Sequence, residues 1–450
     1  MGPASNGRAR CVVRLGAGKL PSPAPPPENP LHQSVTPRVP ARAESIPATA
    51  LLVALTAIAP VSIDMFLPSM PQMARDFDTS TASISLAVTL FLLAFAASQL
   101  VWGPASDRFG RRPIMFIGLS LFIAGSIVSL FAGSVAVLVA SRIAQGFGGG
   151  AGPAIGRAMV IDIYPRERAT RILAVITVST ALAPMLSPIA GGLLQEVWGW
   201  RSVFVVQTLW GIALLTGYGV VFGETVPGRD TAALRLSRMA QNYRTLFRAA
   251  PFTVSSLLMG LLFSGHLIFI STSSFVLVDE MGLSPSVFGL AFGSVAVGIM
   301  IGATISGRIA GRWEPGRVIA AGALIGSLSA VAMALVAQTG HSQPLLIVIP
   351  MMVTASCQGL IRPPAMSRAL VPFPMMAGLA SAVMGFTQMI IATAYGIGFN
   401  ALVEPGPKTM TAAIAVASLM GLFLVVFSRV SGVDEAEVPR PQPEPVNPSA

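Results

Sequence analysis

Asp64 is the only formally charged residue in the stretch 45–74, and Arg142 is equally isolated within 113–156, with Gln145 one helical turn after it. A carboxylic acid and a guanidinium in apolar surroundings suit one kind of chemistry, the reversible pairing and release of a proton-carrying group. If a helix enters a membrane near residue 48, a rise of 1.5 Å per residue puts Asp64 about 24 Å along it. An Asp at the centre of a membrane helix costs roughly 2.5–3.5 kcal/mol on insertion scales. It is therefore expected to face a wet cavity, pair, or protonate. The plainer alternative is an acid capping a helix at the membrane edge, where Pro68 and Pro71 break the helix. Arg142 lies about 12 Å into its own helix. It keeps its proton, so it needs an acceptor or water, and snorkelling to the interface is the competing reading. A charged Asp64 is a natural partner for it.

Other chemistries lack their parts. Cys11 and Cys357 stand in different surroundings, and His32, His266 and His341 are scattered, so neither a disulfide nor a metal site is expected. There is no nucleophile constellation and no phosphate-binding loop. The expectation is a protein that is not an enzyme, holds no cofactor and is not driven by ATP. His266 reads as a packed residue.

The elements that must position Asp64 and Arg142 are membrane helices. The chain is 53% hydrophobic and only 11% charged, under half the roughly 25% of soluble domains, and its mean hydropathy is +0.72. The runs 79–106, 172–195, 202–223, 249–278, 281–307, 369–403 and 409–428 contain no Asp, Glu, Lys or Arg. About 20 apolar residues cross a bilayer, and such segments satisfy their backbone as helices. Residues 45–74 add one crossing, 113–156 two and 318–361 two, which makes twelve. The net charge of +10 invites a nucleic-acid reading, but 27 of the 29 positive residues are Arg clustered between the apolar runs. Seventeen, from Arg108 to Arg368, fall on one side, against Arg75, Arg201 and Lys408 on the other. The positive-inside rule then puts both termini in the cytoplasm, and no nucleic-acid partner is expected. The domains follow: a disordered tail 1–46, six helices in 47–222, a basic and partly helical connection 223–250, six helices in 251–430, and a second tail 431–450. "GPASDR" (103–108) and "GRIAGR" (307–312) form a faint repeat between the halves, with Gly311 at the acidic position of the second.

Four stretches carry a family resemblance. They are "SIDMFLPSMPQMARDF" (62–77), "GPASDRFGRRP" (103–113), "RIAQGFGGGAG" (142–152) and "APMLSPIAGG" (183–192). Over residues 47–430 the chain resembles a major facilitator superfamily transporter of the 12-helix drug:proton antiporter type, and is most similar to the Bcr/CflA drug-resistance branch. The second stretch matches the superfamily signature G-x-x-x-D-R-x-G-R-R. The third matches R-x-x-Q-G. The fourth matches the antiporter motif, with Ala183 and Ser187 at two of its glycine positions.

The resemblance implies an all-α fold of two pseudo-symmetric six-helix bundles with the substrate between them. It implies exchange of protons for small lipophilic drugs by alternating access across the bacterial inner membrane, in a monomer surrounded by lipid and powered by the proton gradient. A proton-coupled importer of a sugar or metabolite is the alternative. Asp64 and Arg142 are then the coupling residues. Gly103, Asp107, Arg108, Gly110, Arg111 and Arg112 form a gating motif, in which Asp107 latches neighbouring charges, Gly103 permits close contact and Gly110 a tight turn. Gln145 and Gly146 belong to the fourth-helix motif. Pro184, Pro188, Gly191 and Gly192 shape a bent helix at the interface of the halves. Asp162, near Arg157, reads as structural, and Asp279 with Glu280 as a solvated turn.

Overall fold

The computed structural model describes residues 45–226, 236–340, 343–373, 376–404 and 406–430. Apart from residues 45 and 46, the tails expected at 1–46 and 431–450 lie outside the described residues. Every regular element among the described residues is helical. The first set comprises α1 (Ile46–Asp64), α2 (Met70–Asp76), α3 (Thr81–Phe109), α4 (Arg111–Leu130), α5 (Val135–Gly149), α6 (Ala151–Ile163), α7 (Arg166–Trp198) and α8 (Arg201–Val221). A short helix in the connection, α9 (Leu236–Arg248), leads to α10 (Ala250–Ser274), α11 (Pro285–Ile309), α12 (Pro315–Gln338), α13 (Leu345–Leu370), α14 (Ala377–Leu402) and α15 (Pro407–Val430).

Eleven of the described helices, counting α1 with α2 as one, are long and apolar enough to cross a membrane. The twelfth expected crossing is Val135–Ile163, divided at Gly150 into two helices of 15 and 13 residues. Backbone bonds nevertheless run through the break, from Gly150 N to Gly146 O at 3.2 Å and from Ala154 N to Gly150 O at 3.3 Å. The segment is one crossing with a loosened turn. Small residues let it sit close to its neighbours, because in lipid close packing must do what the hydrophobic effect does in water. A Cβ added to Gly152 would press on the backbone of Leu55 in α1.

Serine side chains start several helices. Ser80, Ser134 and Ser284 accept from the backbone N–H groups of Ser83, Val137 and Val287, which satisfies donors that have no partner inside a helix. The end of α1 has a different cause. Pro68 lacks an N–H and its ring crowds the carbonyl four residues back, so the α-helix stops at Asp64 and continues as a 3₁₀ turn at Leu67–Ser69 before α2.

Within the first set α3 and α4 pack on α5, α4 on α8, and α1 on α7; in the second α11 and α12 pack on α13, and α10 on α14 and α15. The two sets meet along α7 with α11 and α3 with α14. The arginine-bearing loops gather at one end, where Arg111 reaches Asp162 and Arg112 reaches the carbonyl of Gly219. At the opposite end a single apolar core joins the sets, with Phe66, Phe91 and Phe204 from the first and Phe269, Phe288 and Phe292 from the second. Polar contacts reinforce that end. Arg75 Nη1 lies 2.5 Å from Asp279 Oδ1, Ser286 N donates to Glu196 Oε1 at 3.0 Å, and Ser85 Oγ donates to the carbonyl of Ser271 at 2.7 Å. Asp279 therefore does more than occupy a solvated turn.

Candidate functional site

Between the two sets lies a cavity of about 280 Å³. Its wall is mostly apolar, with Phe95, Phe263 and Phe292 among its members, and its polar members are Asp64, His266, Gln358, Arg362 and Gln388. Asp64 is the last residue of α1 and is 6% exposed. No described residue forms a hydrogen bond or ion pair with its carboxyl. It is thus neither an edge cap nor a partner of Arg142: the helix break that Pro68 imposes turns it onto the cavity.

Arg142 is fully buried, so it does not snorkel. Its guanidinium lies between two rings, 4.6 Å from the centroid of Phe66 and 4.2 Å from that of Phe91, a geometry that stabilises a desolvated cation. Nη1 donates to Gln145 Oε1 at 2.5 Å, and both terminal nitrogens reach the carbonyl of Ser62 at 3.4 Å. Gln145 Nε2 in turn donates to Ser126 Oγ at 2.6 Å and to Gln207 Oε1 at 2.7 Å. Gln207 Nε2 closes the circuit on Ser62 O at 3.1 Å.

The Ser62 carbonyl is free for this because of the same break. A regular helix would pair it with the N–H of Phe66, but Phe66 N bonds to Ile63 O instead. The carbonyl two residues before Asp64 is thereby left to Arg142 and Gln207. The acid and the guanidinium are joined through backbone, not through an ion pair.

A second cluster occupies the arginine-rich end. Arg111 is 8% exposed. It pairs with Asp107, donates to Ser106 Oγ at 2.6 Å, and places Nε 3.1 Å from Asp162 Oδ2. The carboxylate of Glu224, just past α8, caps the start of α4 by accepting from Arg111 N at 2.8 Å and Arg112 N at 3.3 Å. Negative charge at a helix N-terminus is favourable. Gly110, between α3 and α4, has φ of +108°, where a side chain would be strained, and a Cβ there would collide with Glu224.

Residues 52–398 match the family model for the Major Facilitator Superfamily. The chain belongs to this superfamily. It is 27% identical over 378 residues to multidrug resistance protein D of Escherichia coli, covering 84% of this chain and 93% of that protein. It is 26% identical over 375 residues to a bicyclomycin resistance protein homolog of Haemophilus influenzae, covering 82% and 94%. These relatives carry the names of the drug-resistance branch that the four sequence stretches resemble. In fold it is similar to a D-xylose–proton symporter, with a TM-score of 0.69, 14% identity, and coverage of 85% and 96%.

For this facilitator the sequence stretches resolve into distinct structural roles. Asp64 lies on the cavity, and Arg142 with Gln145 lies behind it. Gly146 packs on the backbone of Phe91 and Gly191 on that of Met65. Pro184 and Pro188 stand within α7, Pro184 on the cavity wall, and Gly192 abuts the backbone of Pro285 in α11. Gly103 departs from expectation: no atom lies within 4 Å of an added Cβ, so it makes no close contact in this conformation. The charges around Asp107 all belong to the first set of helices, so here the cluster ties that set together and does not bridge the halves. The guanidinium of Arg108 lies over the ring of Phe109 at 5.1 Å.

Four participants were not singled out from the sequence. Gln207 and Ser126 carry no formal charge, and only a search for isolated amides within apolar runs finds Gln207. Glu224 reads as part of a loop. Arg362 was counted among the arginines of one side, yet it lies in α13 eight residues before the helix ends and faces the cavity. Pro363 and Pro364 give a loop-like signal, but the helix continues through them.

Proposed function

We propose that this facilitator is a secondary active exporter that exchanges inward-moving protons for small, lipophilic drugs across the bacterial cytoplasmic membrane. Both termini and the arginine-rich end face the cytoplasm. The observation that carries the reading is an unpaired carboxyl, Asp64, on the wall of a mostly apolar cavity. A carboxyl there exists as the acid or the anion according to which side admits water, and each form favours a different occupant of the cavity.

In this reading Asp64 takes a proton from outside as drug leaves, and releases it inside. The charge change acts on Ser62, two residues away, and through it on Arg142, Gln145 and Gln207. The two sets of helices, proposed as domains 47–222 and 251–430, rock about the α7–α11 contact. The Asp107–Arg111–Asp162 cluster holds the cytoplasmic ends of the first domain as a unit. The proton gradient supplies the energy, with no cofactor, and the monomer in lipid is the working form.

The names of the relatives supply the drug class, and the apolar wall agrees with it better than with a sugar. The test is drug transport into everted membrane vesicles with an imposed proton gradient. Asp64→Asn should abolish gradient-driven accumulation. Wild-type accumulation by that variant sinks the assignment.

A further inference from the structure

Among the polar residues that the second set of helices places on the cavity wall, Arg362 and His266 have no role in the exchange cycle above. Arg362 is exposed to the cavity, and among the described residues its guanidinium has neither an ion pair nor a hydrogen bond. His266, on α10, is 8% exposed, and its Nδ1 has no hydrogen-bond partner. Its ring stands 5.7 Å from that of Phe263. Buried polar atoms are overwhelmingly paired, and an arginine within a membrane helix must find an acceptor or water. Arg142 shows how this fold surrounds a structural arginine, with a glutamine, a carbonyl and two aromatic faces that leave Nε alone without a partner. Arg362 has none of these.

We propose that Arg362, with His266 beside it in the cavity, is a specificity-determining site for an anionic group on the substrate. The substrate class is then an aromatic amphiphile bearing a carboxylate or sulfonate, including zwitterions whose cationic end faces Asp64. A guanidinium matches such groups with two parallel hydrogen bonds, and Phe95, Phe263 and Phe292 offer faces for the aromatic body. A transporter for lipophilic cations alone would gain nothing from an unpaired guanidinium here, because it repels them.

The inference rests on the exporter reading for its biological use, and its chemistry is tested separately by binding. Purified full-length protein in a non-ionic detergent is titrated with fluorescein and with rhodamine 123, which share a xanthene core and carry opposite charge. Fluorescence anisotropy gives both affinities. Arg362→Gln should lower the fluorescein-to-rhodamine affinity ratio at least tenfold, by weakening the anion and strengthening the cation. Arg362→Lys, which keeps the charge and loses the fork, should lower it less. Should Arg362→Gln fail to purify as a single species, Arg362→Met gives the same comparison. A wild type that binds no fluorescein, or a ratio that the neutral variant does not move, overturns the proposal. Failure of the exporter reading shows elsewhere, as gradient-driven transport by Asp64→Asn with the dye preference intact.

Discussion

Replacing Arg142 by methionine separates two roles that burial alone would merge. The side chain keeps an unbranched apolar stem, ends about two atoms short of the guanidinium nitrogens and loses its charge. What disappears is the 2.5 Å bond to Gln145 Oε1, two long contacts to the Ser62 carbonyl at 3.4 Å, and the position between Phe66 and Phe91. A hydrogen bond from a charged donor contributes about 1.5–3 kcal/mol, while contacts at the limit of hydrogen-bond distance add little. Stacking on two rings adds about 2 kcal/mol where the cation is desolvated. Opposing these is the cost of holding a guanidinium away from water, still several kcal/mol after relaxation. Every recorded partner of Arg142 is neutral, so its removal leaves no buried counter-charge. The residual penalty is the Gln145 oxygen deprived of its donor, about 1–3 kcal/mol. Arg142→Met should therefore lose only about that much stability in thermal or denaturant unfolding of the purified protein. Proton-driven drug transport in proteoliposomes should nevertheless fall at least tenfold, about 1.4 kcal/mol of barrier. A loss of stability beyond about 5 kcal/mol would refute the cancellation. Transport at the wild-type rate would refute the coupling role.

Four further substitutions address the scaffold and the arginine-rich cluster. Gly152→Ala drives a methyl group into the Leu55 backbone, which cannot yield as a side chain tip would, and should cost about 1–3 kcal/mol in unfolding experiments. Gly103→Ala meets open space inside α3 and should instead raise stability by up to about 1 kcal/mol, the helix-propensity difference. Glu224→Gln removes the charge that caps α4 from outside the helix and should cost about 0.3–1 kcal/mol, least at high salt. Asp107→Asn loses one partly exposed ion pair, while Arg111 keeps Ser106 and Asp162. Insertion and stability should hold within about 1 kcal/mol while transport in vesicles falls; equal transport would reduce Asp107 to a part of the orientation signal.

The helices were legible because lipid leaves so few alternatives: an uncharged run of sufficient length has to be a helix. The two crossings expected in 113–156 are parted between Leu130 and Val135. Asp64 and Arg142 stood out because formal charge is scarce, Gln145 because it follows Arg142 by one helical turn, and the structure does bring Arg142 and Gln145 together. The link between Asp64 and Arg142 was not legible. It runs through the Ser62 carbonyl, and a backbone atom is identical at every residue; only the local hydrogen-bond register, set by Pro68, marks it. Arg362 escaped for a related reason. A rule that locates loops by arginine and proline cannot tell a loop from a helix end that lines a polar cavity, where the same residues are tolerated. Gly103 shows the converse, a motif position that the structure leaves without a close neighbour.

The contact between α7 and α11 has a consequence for genetics. Gly192 lies on the backbone of Pro285, Gly289 on that of Pro188, and Gly293 on that of Met185. Gly289 and Gly293 are one turn apart, and so are Pro188 and Gly192. The halves therefore touch main chain to main chain, and no rotamer has to be reset when one slides on the other. Such a seam tolerates movement and does not tolerate volume. A bulky residue at Gly289 acts as a wedge, and no neighbouring side chain can retreat from it. Selection for restored drug resistance should then recover second-site changes that make room on the opposite helix, or that shift its path, in preference to changes in the cavity. The spacing of those suppressors along α7 would trace how far the halves travel.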